Sequence, residues 1–107
     1  MSEEVVVVAT FRAKEGCEAE LEEGLSALIT ASQQDEGCVR YALHRGLDDP
    51  RSYAMVERWR SRADLDAHLK LPHVAALAGA LDYLVAPPLV LNLEPFPIGD
   101  PELGTLS

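Results

Sequence analysis

Glu57-Arg58-Trp59-Arg60-Ser61, followed by His68 and by Pro72-His73, sets an acid, an indole and two imidazoles where the surrounding pattern calls for apolar side chains. Alternation through Tyr53, Met55, Glu57 and Trp59 puts these four on one face of a strand, where an unpaired carboxylate costs on the order of several kcal/mol. Glu57 therefore needs a partner, and His68 is the nearest candidate in sequence. At about 100° per residue, His68 falls within roughly 60° of Leu65, on the border of a helical stripe that would face the sheet. An imidazole and a carboxylate can thus meet between helix and sheet, with Tyr41 and Trp59 as aromatic walls. A carboxylate so placed would fix the orientation of the imidazole and raise its pKa, while burial would lower it. A buried histidine satisfied by a structural carboxylate, and a tryptophan that is simply core, are the competing readings of the same residues.

His73 follows Pro72 and would sit at a pocket mouth or on the surface. His68 and His73 are five residues apart across a proline, not at the i, i+4 spacing that aligns two ligands on one helical face, so no metal site is expected. There is no glycine-rich phosphate loop and no dinucleotide fingerprint. His44 reads as a surface or interface residue, Cys17 as a thiol held back by the glutamates around it, and Cys38 as a small hydrophobe.

The elements that must position these groups follow from periodicity. Val5 to Phe11 is β-branched and apolar, a strand closed by Lys14-Glu15-Gly16. From Cys17 to Gln34, Leu21, Leu25, Leu28 and Ile29 recur at helical spacing behind an acidic first turn. Cys38 to Arg45 and Ser52 to Arg60 form a hairpin across Gly46–Arg51. Ser61-Arg62-Ala63-Asp64 resembles a capping box, so a helix starts there. Pro72 breaks or kinks it, and Val74, Leu77, Ala78 and Leu81 resume the stripe. After Ala86-Pro87-Pro88, Leu89 to Glu94 is a last strand. The order β-α-β-β-α-β predicts an α+β, ferredoxin-like fold with a four-stranded antiparallel sheet: one domain over residues 1–94, then a Pro/Gly-rich tail, 95–107, that could reach a partner subunit.

Two helices cover only one face of such a sheet. Odd-numbered positions, including Val5, Val7, Val39, Tyr41, Leu89, Leu91 and Leu93, are assigned to the covered face. The even set, with Val6, Val8, Ala42, Val56 and Val90 beside Arg40 and Arg58, remains outside. That apolar remainder predicts a homodimer packed sheet against sheet, a dimeric α/β barrel. With 18 acidic against 9 basic residues in 107, a net charge of −9 disfavours nucleic acid and anionic membranes as partners. Two separated cysteines, an acidic start without a signal-peptide pattern and no membrane-length apolar run suggest a cytoplasmic protein.

Three stretches carry a resemblance to a known family: Glu36-Gly37-Cys38-Val39-Arg40-Tyr41, Glu57-Arg58-Trp59-Arg60-Ser61, and Ala67-His68-Leu69 with Pro72-His73. Over residues 5–94 the chain resembles the antibiotic biosynthesis monooxygenase family, dimeric α/β-barrel proteins that include quinol monooxygenases. The resemblance implies oxidation of a hydroquinone or a phenolic, polyketide-like aromatic by O2, without flavin, haem or metal. It implies His68 as base and Glu57 as its orienting acid, with Trp59, Tyr41 and His73 around the substrate. The pocket Asn and Tyr of related polyketide oxidases fall at Met55 and Leu65, so only their tryptophan is matched. The strand Asn, helix Trp and iron-binding His of haem-degrading relatives fall at Ala9, His68 and Ala78, which disfavours haem. An isomerase of small carbonyl compounds and a non-catalytic ligand-binding dimer are the alternatives on the same scaffold.

Overall fold

Val5–Arg12, eight residues of strong strand preference, form the inner strand β1, from which the fold is organised. The computed structural model describes residues 3–106. After β1 come α1 (Glu18–Ser32), β2 (Cys38–Arg45), β3 (Ser52–Trp59), α2 (Arg62–His68), α3 (Pro72–Ala75), a 3-10 helix over Ala76–Tyr83, and β4 (Leu89–Leu93). The sheet is antiparallel throughout, in the order β2-β3-β1-β4. This is the α+β, ferredoxin-like arrangement expected from the order of elements.

Register decides which side chains meet. Glu57 of β3 lies opposite Val7 of β1 and Tyr41 of β2, and directly opposite residues share a face. Val5, Val7, Tyr41, Tyr53, Met55, Glu57 and Trp59 are all buried under the helices. α1 lays Leu21, Leu25 and Leu28 on this face, each burial contributing roughly 1.5–3 kcal/mol.

Two assignments of the outer strands are corrected. β4 pairs Val90 with Ala9 and Asn92 with Val7, so its even residues face the core while Leu89, Leu91 and Leu93 point out beside Thr10, Val8 and Val6. Parity cannot be carried from strand to strand through an irregular loop, because one residue more or less inverts it. In β2 a bulge between Cys38 and Arg40 shifts the register, and Val39, expected in the core, is 39 % exposed.

The second helical region is also re-aimed. Ser61 caps α2, its Oγ accepting from the Asp64 N–H at 3.2 Å. Leu71 is extended, as the residue before a proline prefers, and Pro72 opens α3 at N1. Beyond Ala75 the chain tightens to a 3-10 helix, whose three-residue repeat turns Leu77 and Ala80 inward, in line with Val74 of α3, and leaves Ala78 exposed.

Candidate active site

Between α1, the α2–α3 segment and the sheet lies a cavity of about 220 Å³. Its walls are almost wholly apolar, built from Val7, Met55, Leu25, Leu65, Leu77 and their neighbours, with Tyr41, Glu57 and His68 as the ionisable members. The exposed lining residues Leu69, Leu81, Val90 and Asn92 mark the side that meets solvent.

Glu57 and His68 share this cavity, but not as the hydrogen-bonded pair expected from sequence. Glu57 Oε1 accepts from Trp59 Nε1 at 2.9 Å, a contact two residues along the same strand face. The carboxylate partner of His68 is Asp35: His68 Nδ1 lies 2.7 Å from Asp35 Oδ2. His73 Nε2 approaches the same oxygen, also at 2.7 Å. Asp35 acts at sequence separations of 33 and 38 from its two partners, which is why local reading overlooked it. The available signal was its position in the turn Asp35-Glu36-Gly37, which leads into the strand that carries Tyr41.

That turn is clamped to the start of α2. The Arg60 N–H donates to the Gly37 carbonyl at 2.8 Å, and the Arg60 guanidinium reaches Asp64 and Glu36. Gly37 has φ +81°, and a Cβ built there would lie 2.3 Å from Asp64 Cγ, so only glycine allows the approach. The clamp fixes Asp35 relative to the helix that ends in His68.

Aromatic rings hold the imidazole. Trp59, fully buried, stacks at a tilt on His68 with centroids 4.4 Å apart, and Tyr41 meets His68 edge-on at 5.7 Å. Trp59 therefore sits behind His68 and is not part of the cavity lining. His73, with its side chain 24 % exposed, also lies outside the lining, while Tyr41, Met55 and Leu65 are within it.

An Nδ1–H donated to Asp35 leaves His68 Nε2 with a lone pair. Among the described residues neither Nε2 of His68 nor Oε2 of Glu57 has a hydrogen-bond partner. Glu57 and His68, 7 % and 3 % exposed, both line the cavity. Burial pushes Glu57 up from 4.5 to about 7, against the lowering effect of the Trp59 bond. Burial and the charge of Glu57 hold Tyr41 above the usual phenol range and raise Cys38 to about 11, so Tyr41 is a neutral phenol and Cys38 an inert thiol.

A model of the antibiotic biosynthesis monooxygenase family matches residues 4–80, a stretch that contains Asp35, Glu57, His68 and His73. The chain belongs to this family. "Putative monooxygenase Rv0793" of Mycobacterium tuberculosis is similar at 29 % identity over 93 residues, which cover 87 % of this chain and 91 % of that protein. The solved structure of Rv0793 superposes with a TM-score of 0.82 at 31 % identity, covering 91 % of this chain and 99 % of the other. PA3566 of Pseudomonas aeruginosa gives a TM-score of 0.79 at 30 % identity, over 87 % and 94 % of the two chains. No helix among the described residues is long and apolar enough to cross a membrane.

Proposed function

We propose that this member of the antibiotic biosynthesis monooxygenase family oxidises a small hydroquinone or phenol with O2, without a cofactor, and that His68 is its base. What supports the reading is one arrangement: an imidazole with Nδ1 tied to a carboxylate, on a residue that lines an apolar cavity. A cavity of about 150 Å³ already accepts a benzene ring, so about 220 Å³ suits a one- or two-ring aromatic.

In the proposed reaction His68 Nε2 takes a phenolic proton, and Asp35 stabilises the imidazolium through Nδ1–H, which makes Asp35 the positioning residue in place of Glu57. Glu57, its carboxyl raised by burial to about 7, binds a hydroxyl of the ring through Oε2. Leu65 and Met55 bound the ring; Trp59 braces His68 and His73 braces Asp35. The phenolate passes one electron to O2, the semiquinone and superoxide combine on a ring carbon, and the O–O bond breaks with loss of water. A hydroquinone plus O2 becomes a hydroxyquinone plus H2O, and the substrate supplies all four electrons. A dry, apolar wall favours this by leaving the phenolate its electron density.

An oxygen electrode tests the proposal on metal-stripped protein with a panel of hydroquinones. Uptake above autoxidation is expected for at least one compound, falling at least roughly 10²-fold in His68→Ala. Asp35→Asn should lower kcat with little change in KM, and Asp35→Glu should restore part of it. Turnover under strict anaerobiosis would instead indicate an isomerase, and tight retention of an aromatic without turnover a binding protein.

A further inference from the structure

The carboxylate that orients His68 is shared with a second imidazole, and the three side chains leave the backbone from separate elements. Asp35 comes from the turn after α1, His68 ends α2 and His73 is the second residue of α3. One ligand atom of each lies within 4.8 Å of those of the other two, and His68 Nδ1 and His73 Nε2 are each 2.7 Å from Asp35 Oδ2. Spacing along one helix argued against this meeting, and it occurs because the chain breaks between His68 and Pro72 and brings the ring of His73 back over that of His68, centroids 5.9 Å apart.

We propose that Asp35, His68 and His73 form a binding site for one divalent transition-metal ion of the Zn2+ type, and that occupancy moves the His68 proton from Nδ1 to Nε2. Two imidazoles and a carboxylate are the donor set that such ions take with three protein ligands, a water completing the tetrahedron. The site has a formal negative charge from Asp35 and sits in a chain of net charge −9, so a cation is electrostatically welcome.

The tautomer follows from the geometry. Without metal, Nδ1–H is donated to Asp35 and Nε2 keeps its lone pair. A metal on Nδ1 needs that lone pair, so a neutral imidazole must carry its proton on Nε2 and can no longer accept one from a ligand in the cavity. Given the proposed role of His68 as base, the metal would be an inhibitor; cation binding and the tautomer shift do not depend on that role.

The metal-free, full-length chain is titrated with Zn2+ and followed by calorimetry and by histidine 15N NMR. One equivalent should bind, with His68 Nδ1 and His73 Nε2 moving to metal-bound shifts, His68 Nε2 becoming protonated, and the exposed His44 unmoved. His73→Ala and Asp35→Ala should each weaken binding by roughly tenfold or more, and His44→Ala should not. The NMR arm uses wild-type protein, so a variant that fails to fold leaves the outcome decided. Absence of saturable binding, or binding that moves His44 while His68 stays put, overturns the site. Binding with His68 Nε2 still unprotonated overturns the tautomer shift. Failure of every hydroquinone to react would overturn the proposed activity and leave the metal result standing.

Discussion

At the residue scale, Glu57 concentrates the cost of the site. Its carboxyl is buried on an apolar face with a single indole donor, and its pKa stands at about 7 against the usual 4.5. Between these values the folded chain holds a proton that the unfolded chain has released, so Glu57 contributes stability below pH 4.5 that is lost as pH rises through about 7. The difference corresponds to about 3 kcal/mol. Glu57→Gln should therefore flatten the decline, so that its stability relative to wild type rises by about that amount between pH 4.5 and 7.5 in denaturant titrations. Parallel profiles for the two proteins would contradict this. Sequence alone identified Glu57 as a misplaced carboxylate and His68 as cavity-facing, since both follow from periodicity within one element. It paired them with each other because proximity in sequence stood in for proximity in space, and Asp35 emerges only when the turn before β2 is laid against the end of α2.

At the element scale, the Asp35–Gly37 turn and the start of α2 form one unit, joined by the Arg60–Gly37 backbone bond and the Arg60–Asp64 pair. Gly37→Ala must accommodate both a positive φ and a methyl against Asp64, and should destabilise the fold by about 2 kcal/mol or more. Since the turn also carries Asp35, activity should fall beyond what the unfolded fraction accounts for. Equilibrium denaturation and assays on the folded protein separate the two effects, and an unchanged Tm would refute the close approach. The helices and strands themselves were legible because their repeats are strong: the leucines of α1, the capping serine of α2, the valines of β1. What failed was phase. The bulge at Val39 and the connection into β4 each displace the alternation by a residue, and the 3-10 segment replaces a repeat of 3.6 with one of three.

At the scale of the whole molecule, correcting β4 strengthens the argument for a partner. Leu89, Leu91 and Leu93, 62 %, 46 % and 42 % exposed, lie on the open face beside Val6 and Val8, where alternation alone had placed Val90. We infer a homodimer packed through this face, with the tail bearing exposed Phe96 and Ile98 available to a second subunit. Light scattering at micromolar concentration should give twice the chain mass. Leu91→Lys should give the monomer mass with an unchanged circular dichroism spectrum, and a wild-type monomer would contradict the interface.

In the proposed reaction one atom of dioxygen enters an aromatic ring in the cavity beside His68. Mass spectrometry of the product formed under 18O2, from whichever hydroquinone supports oxygen uptake, tests it most directly. One 18O per product molecule, with the second recovered in water and no labelled product from His68→Ala, is the predicted result. Product oxygen drawn from solvent, or labelling undiminished in His68→Ala, would contradict it.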